Sequence, residues 1–365
     1  MTISILLLGA SGYIGGSTLA TLLERHPTWN VTALARNEDQ ASKIQAAFPS
    51  TKLSTVLGSL DTPDILATEA AKASITLQLA NGDHDAGTNA LLSAVRSAAT
   101  LESCKYYIHL SGAATVLDFS LAPGLAPGRS WNDTSDLPAI LSLPSTQIHA
   151  ATEQRIVATG TEHAANGLRT AIVSPPAVVG VGSGPLKKGA NYHINMTMQR
   201  KRAFVVEQGQ NVWEMVHVKD TAGAIVALVE AAYGELQDRA YNPAAATAAP
   251  SRADWNDQGY YFLTSGWVSP DKVSYVRAIV SRLREKRIPL EDGLDHLTAD
   301  EVTALHPFGQ IIFGSSLRIH GERIRERLGW ESAFTKWEGA LEEEVNAEIA
   351  RVARGEKLGV GFGHD

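Results

Sequence analysis

Short apolar runs of strand length alternate, over the first half of the chain, with stretches whose apolar positions recur at helical spacing. The runs are Ile3 to Leu8, Val31 to Arg36, Lys52 to Leu57, Ile75 to Ala80, Lys105 to Leu110 and Arg169 to Ser174. Ser17 to Arg25, Thr62 to Ala73 and Ala86 to Ala99 read as the helices between them. Strands alternating with helices predict an α/β fold built on a doubly wound parallel sheet of the Rossmann type. Further on, Tyr260-Tyr261-Phe262 reads as a short strand. Asp271 to Arg284 reads as an amphipathic helix with Val273, Val276, Ile279 and Leu283 on one stripe. Ser332 to Arg354 is largely helical in pattern, and no internal repeat is visible.

Two stretches break the rhythm. Leu121 to Leu143 is aperiodic, carries three prolines, two glycines and Trp131, and is long enough to be a functional cover over a pocket. Pro243 to Pro250 is an alanine-rich segment bounded by prolines, which reads as a linker. The pattern therefore divides the chain into a dinucleotide-binding domain (1–180 and 216–242) and a smaller, mostly helical substrate domain (181–215 and 251–354). A mobile tail at 355–365 is expected to follow.

The first apolar run breaks at Gly9-Ala10-Ser11-Gly12-Tyr13-Ile14-Gly15-Gly16 and passes into a helix. A strand, a glycine-rich turn and a helix open a dinucleotide-binding unit. Gly9 permits the tight turn, Gly12 lets the backbone approach a pyrophosphate, and Gly15 lets the helix pack closely. Backbone N–H groups at the helix start then face the phosphates. The competing reading is a glycine-rich structural turn. At the end of the second run, where a free ribose 2′-OH usually meets Asp or Glu, the chain has Arg36 and then Asn37. A guanidinium there suits a 2′-phosphate and favours NADP(H), against the alternative of a solvated surface arginine.

Composition narrows the field further. The 365 residues hold 32 Lys+Arg against 39 Asp+Glu, a formal charge of −7, so no basic footprint for nucleic acid exists. A single cysteine, Cys104, excludes an internal disulfide and a cysteine-based metal cluster. The apolar run at Ile3 to Leu8 is too short to span a bilayer and lacks the flanks of a secretory signal. The expectation is a soluble, cytoplasmic protein with a small-molecule substrate and no nucleic-acid or membrane partner.

Beyond the glycine turn, three segments carry a family likeness: Ile108 to Val116, Ile172 to Gly180 and Met215 to Asp220, with Leu328-Gly329-Trp330 later. Together they resemble the short-chain dehydrogenase/reductase superfamily in its extended and atypical branch, which includes nucleotide-sugar epimerases, dehydratases and NmrA-like proteins. The resemblance implies a nicotinamide cofactor contacted by Gly9, Ser11, Gly12, Tyr13, Ile14 and Gly15, by Arg36 at the end of the second strand, by Ala80 and Asn81 after the fourth, by Ser111 after the fifth, by His149, and by Pro175 and Pro176 after the sixth. A homodimer through helices flanking the sheet is the family habit.

The family's catalytic Tyr-x-x-x-Lys is absent between Thr115 and Arg169. Aligning Pro144 and Glu153 with the family helix puts Ser145 and His149 at its two positions, four apart and so on one helix face. Ala113 falls at the usual Ser/Thr position, with Ser111 two residues earlier. His149, with an ordinary pKa of about 6.5, suits acid/base work. The remaining candidates are Ser145, Ser111 and His84 in Asn81-Gly82-Asp83-His84-Asp85, where Asp83 is expected to cap the next helix. Asn191-Tyr192-His193 lies where extended members begin to contact substrate. Arg318 or Arg323 is placed to meet an anionic group, or stands as a solvated charge. His217 is expected to pack and Asp220 to cap a helix beginning near Thr221. No Gly-x-Ser-x-Gly elbow and no metal-ligand set is evident, so neither an esterase nor a metal site is expected.

Three functions follow. The first is an NADP(H)-dependent oxidoreductase or epimerase with a non-standard site. The second is a non-redox cyclase, isomerase or lyase on the same fold. The third is an NmrA-like sensor that binds NADP(H) without turnover.

Overall fold

The computed structural model describes residues 3–187, 191–241, 251–267 and 269–356. The apolar runs become β1 (Ser4–Leu8), β2 (Asn30–Ala35), β3 (Leu53–Leu57), β4 (Ile75–Gln78), β5 (Lys105–Leu110), β7 (Leu168–Ser174) and β11 (Tyr260–Phe262). Their order across one parallel sheet is β11-β7-β5-β4-β1-β2-β3. The chain reverses direction across the sheet between β1 and β4, which opens a crevice at the carboxyl ends of those strands. The other strands pair two by two: β8 (Ala177–Val179) with β10 (Met215–His217), β9 (Ala203–Val206) with β12 (Leu294–Leu297), and β6 (Trp131–Asn132) with β13 (Ile319–His320).

The helices explain why the strands are apolar on both faces. Ile5, Leu7, Leu77, Ile108 and Val173 pack on one side against α1 (Tyr13–Arg25) and the later α8 (Val218–Tyr241). Leu6, Leu8, Tyr107 and Ile172 face α3 (Pro63–Lys72), α4 (Asp85–Ala98) and α6 (Ala150–Glu162) on the other. With both faces covered, alternation is lost and near-continuous apolar runs remain. Burial of each such leucine contributes about 1.5–3 kcal/mol. Helix α2 (Glu38–Ala47) joins the first face through Ala41 and Ile44, and α5 (Leu137–Leu141) the second through Leu137 and Ile140.

A smaller core joins α7 (Tyr192–Arg200), α9 (Lys272–Glu285) and α12 (Trp337–Ala353) through Ile194, Ile279, Leu283, Leu341 and Val345. Helix α10 (Ala299–Leu305) packs through Val302 with Phe204 and Phe313, and α11 (Arg323–Leu328) packs through Ile324 on the main core. Two expectations need correction here. The segment 251–354 is not confined to a second domain, because Tyr260–Phe262 pairs with β7 as the edge of the main sheet. Leu121 to Leu143 is not structureless either, since it carries β6 and α5. It is pinned by the buried Asp133 carboxylate, which accepts from the N–H groups of Phe262 (2.9 Å), Glu322 (2.9 Å) and Arg323 (3.2 Å). Trp131 packs on the main-sheet core beneath the Arg129 guanidinium, 3.5 Å from the ring centre. The segment Pro243 to Pro250 and the tail from 357 onward lie outside the described residues.

Candidate active site

The glycine turn is fixed by close approach. Gly9 has φ +89°, and a Cβ there would lie 2.5 Å from the Leu79 carbonyl oxygen. A Cβ on Gly15 would lie 2.2 Å from the Gly9 carbonyl oxygen. Gly12 donates its N–H to that same carbonyl (2.9 Å) and stands just ahead of α1. The first N–H groups of a helix have no acceptor within it, and the first turn of α1 follows directly on this glycine loop. The side chains are used differently. The buried Tyr13 hydroxyl donates to the Gly180 carbonyl (2.7 Å), and Ser11 Oγ accepts from Gln40 Nε2 (2.5 Å). Arg36 is exposed at the end of β2, and its guanidinium has no ion-pair partner among the described residues.

Ala80 and Asn81 are exposed beyond β4, at the mouth of the crevice. Pro175 and Pro176 are buried, and the Pro175 carbonyl holds the Ala113 N–H (2.9 Å), tying the end of β7 to the chain leaving β5.

The residues after β4 reverse the roles that the sequence suggests. His84, not Asp83, caps α4: its Nδ1 accepts from Gly87 N–H (3.0 Å) and its Nε2 faces Asp61 Oδ1 (3.0 Å). Both ring nitrogens of His84 are therefore occupied. Asp83 instead turns to His149, whose Nδ1 lies 2.7 and 2.9 Å from the two carboxylate oxygens. That contact holds the Asp83 carboxyl below its ordinary range and places the ring proton on Nδ1.

His149 occupies the left-handed region (φ 64°) immediately before α6. Such a backbone costs a non-glycine residue about 1 kcal/mol or more and persists only where its surroundings impose it. It also ends the expectation that Ser145 and His149 share a helix face. The helix starts at Ala150, and Ser145 is an exposed turn residue ahead of it. A left-handed residue cannot continue a right-handed helix. His149 Nε2 lies over Gly112, where a Cβ would come within 3.1 Å of it.

One helical turn further on is Glu153, which marks the family helix in the sequence but is not among the residues expected at the site. Glu153 is 2% exposed, and its Oε1 accepts from Ser111 Oγ (2.5 Å), Thr115 Oγ1 (3.0 Å) and the Tyr260 hydroxyl (3.1 Å). The Tyr260 oxygen also lies 3.2 Å from Ser174 Oγ. Burial pushes Glu153 up to about 7, against the opposing pull of the Ser111 hydroxyl and the nearby His149. Ser111 thus meets Glu153. The spacing His149-Ala150-Ala151-Thr152-Glu153 was the available signal, since residues four apart stack on one face. His109, buried beneath, is pushed down to about 4 by burial and pairs through Nδ1 with the Tyr107 hydroxyl (3.1 Å).

Other expected residues have structural roles. Arg323 is not open to a substrate: its Nη1 pairs with Asp254 (2.7 Å) and its Nη2 donates to the Asp133 carbonyl (3.0 Å). Arg318 is exposed. His217 stacks on Phe334 and bonds Glu343 (3.1 Å). Asp220 anchors Ser332, Ala333 and Phe334 rather than capping α8, which starts at Val218. Among the described residues no group of three or more His, Cys, Asp or Glu side chains could hold a metal ion, and no helix is long and apolar enough to cross a membrane.

The sheet order, the glycine turn and the crevice above β1, β4 and β5 define a Rossmann-type protein of the extended short-chain dehydrogenase/reductase class. A family model for the NAD dependent epimerase/dehydratase family matches residues 5–244, and the chain belongs to that family. Oxidase ucsJ from an Acremonium species is 26% identical over 367 residues, covering 99% of this chain and 100% of that protein. Among solved structures, a dTDP-glucose 4,6-dehydratase from Bacillus anthracis in complex with NAD has a TM-score of 0.64 at 13% identity, covering 96% of this chain and 97% of that one. A UDP-glucose 4-epimerase from Thermotoga maritima with UDP-glucose has a TM-score of 0.64 at 14% identity, covering 96% and 100%. At these identities the likeness is one of fold.

Proposed function

We propose that this protein is an NADP(H)-dependent oxidoreductase or epimerase acting on a small molecule, with His149 in charge of the proton. The carrying observation is the Asp83–His149 pair at the start of α6, held in a left-handed backbone beside the end of β5. The family's description, the NAD named with the Bacillus anthracis structure and the oxidase name of the Acremonium relative support a dinucleotide-linked redox step. The unpaired Arg36 supports the phosphorylated form, because a guanidinium matches a 2′-phosphate in charge and fork geometry.

The dinucleotide, when bound, supplies or accepts the hydride. The glycine turn at Gly9, Gly12 and Gly15 and the start of α1 would hold its phosphates. Asp83 fixes the imidazole so that Nε2 gives a proton to a substrate oxygen or takes one from it. His149 stands at the position where the resemblance places the superfamily's lysine, and Glu153 lies one helical turn beyond it. Glu153 is a buried acid, so Ser111, Thr115 and Tyr260 are oriented by a carboxyl group.

The test is oxidation of NADPH across a panel of small carbonyl compounds by the wild type and by His149→Gln. The reading expects loss of reduced-nicotinamide absorbance with at least one carbonyl, lowered about 10²-fold or more in the variant. Tight NADPH binding with no oxidation across the panel would favour a sensor and refute the enzyme.

A further inference from the structure

We propose that the smaller core holds a carboxylate-binding site built from Lys272 and His193, and that the small molecule handled by this protein carries a carboxylate group. Lys272 opens α9 and is 6% exposed, yet no carboxylate or hydrogen-bond acceptor pairs with its ammonium among the described residues. Its Nζ lies 5.6 Å from the centre of the Tyr275 ring. His193, in the first turn of α7, is 5% exposed, and neither ring nitrogen has a hydrogen-bond partner. Aromatic rings surround its imidazole: Phe313 at 4.9 Å, Phe204 at 5.8 Å and Tyr275 at 6.2 Å. Asn211 joins Lys272 to Phe313, whose ring lies against His193. Its backbone carbonyl accepts the Lys272 N–H (3.0 Å), its side-chain amide donates to the Phe313 carbonyl (2.9 Å), and its buried Oδ1 has no partner.

Buried polar groups are nearly always satisfied, and buried charges are paired. Here both nitrogens of an imidazole and an amide oxygen are buried without partners, and a lysine whose ammonium pairs with no carboxylate among the described residues stands in the same core. Each lost partner destabilises the fold. A chain that carries this cost without internal compensation is matched to something that binds. The charge count selects the class. One ammonium beside a neutral imidazole balances one negative charge, and burial together with Lys272 keeps His193 well below its ordinary value, hence uncharged. A carboxylate brings one charge and two acceptor oxygens, for the ammonium and a ring N–H, and its remaining bulk meets Phe204, Phe313 and Tyr275. A phosphate brings about −1.5 to −2 into a site with a single cation.

The proposal deepens the small-molecule reading and rests on it, but its test reads anion binding directly and needs neither turnover nor cofactor. Calorimetric titrations of the full chain, with and without NADP⁺, would use acetate, benzoate, the neutral isostere benzamide and inorganic phosphate. The expected result is binding of at least one carboxylate, roughly tenfold or more weaker for benzamide and for Lys272→Met, with NADP⁺ affinity unchanged in that variant. Lys272→Met keeps the side-chain length and removes the uncompensated charge, so its ligand-free thermal midpoint should rise, as expected for a site that trades stability for function. Absence of carboxylate binding, equal binding by Lys272→Met, or a response to phosphate alone would each overturn the assignment. A fall in the midpoint of Lys272→Met would mark the lysine as structural and overturn it as well.

Discussion

Glu153 gives the sharpest physical prediction. Its carboxyl moves from an ordinary 4.5 to about 7 on folding, chiefly through burial. The folded chain therefore holds this proton more tightly than the unfolded chain. The resulting stabilisation is full below pH 4.5 and is lost as pH rises through 7, with a span on the order of 3 kcal/mol. Because the group is buried, solvent screening removes little of it. Asp133, raised to about 6, and Glu344, raised to about 8, tilt the curve the same way, so the wild-type profile alone does not isolate Glu153. Glu153→Gln does, since an amide oxygen still accepts from Ser111, Thr115 and Tyr260 but carries no titration. Urea unfolding followed by tryptophan fluorescence, at intervals from pH 5 to pH 8.5, should show the variant gaining on the wild type as pH rises. That gain should reach about 2–3 kcal/mol on the alkaline side. The wild-type carboxyl carbon, assigned by subtraction in ¹³C NMR, should titrate near 7. A wild-type to variant difference that is flat with pH, or titration near 4.5, would refute the reasoning.

Other perturbations follow from single contacts. Asp83→Asn frees the tautomer of His149 and should lower turnover about 10²-fold or more, with dinucleotide affinity measured by calorimetry unchanged. Gly9→Ala places a Cβ 2.5 Å from the Leu79 carbonyl at a positive φ. It should cost roughly 2 kcal/mol or more in urea unfolding and abolish dinucleotide binding together. Arg323→Met leaves Asp254 with Arg327 alone and removes the donor to the Asp133 carbonyl. It should cost about 1–3 kcal/mol in the same unfolding assay.

The strands of the main sheet were legible because burial on both faces leaves unbroken apolar runs, as in Ile75–Gln78 and Lys105–Leu110. The glycine turn was legible because close backbone contacts restrict the residue type. Helix α2 was not, because only Ala41 and Ile44 of its ten residues are buried and no apolar stripe marks it. The β9–β12 pairing joins Ala203 to Leu294 across a long separation that no local pattern records. His149 stood out as a titratable residue in the right region, but its partners did not. The left-handed backbone at His149 shifts the helix start by about a turn from the pattern built on Pro144. That shift brings Glu153, rather than His149, to Ser111. Asp83 and His84 exchange roles because either side chain accepts from a helix N–H, and only the position of His149 decides which is free. Tyr260 reaches the site from β11, far along the chain, through sheet order alone.

The central claim is that the crevice binds a dinucleotide, with Arg36 selecting its phosphorylated form. The most direct measurement is calorimetric titration of the purified full chain with NADP⁺, NADPH, NAD⁺ and NADH, after removal of carried nucleotide, alongside Arg36→Ala. The account predicts preference for NADP(H) and loss of roughly 1.5–3 kcal/mol of that preference in the variant. Binding of none of the four would contradict the function proposed for the crevice. Equal binding of the phosphorylated and unphosphorylated forms by wild type and variant alike would contradict the role given to Arg36.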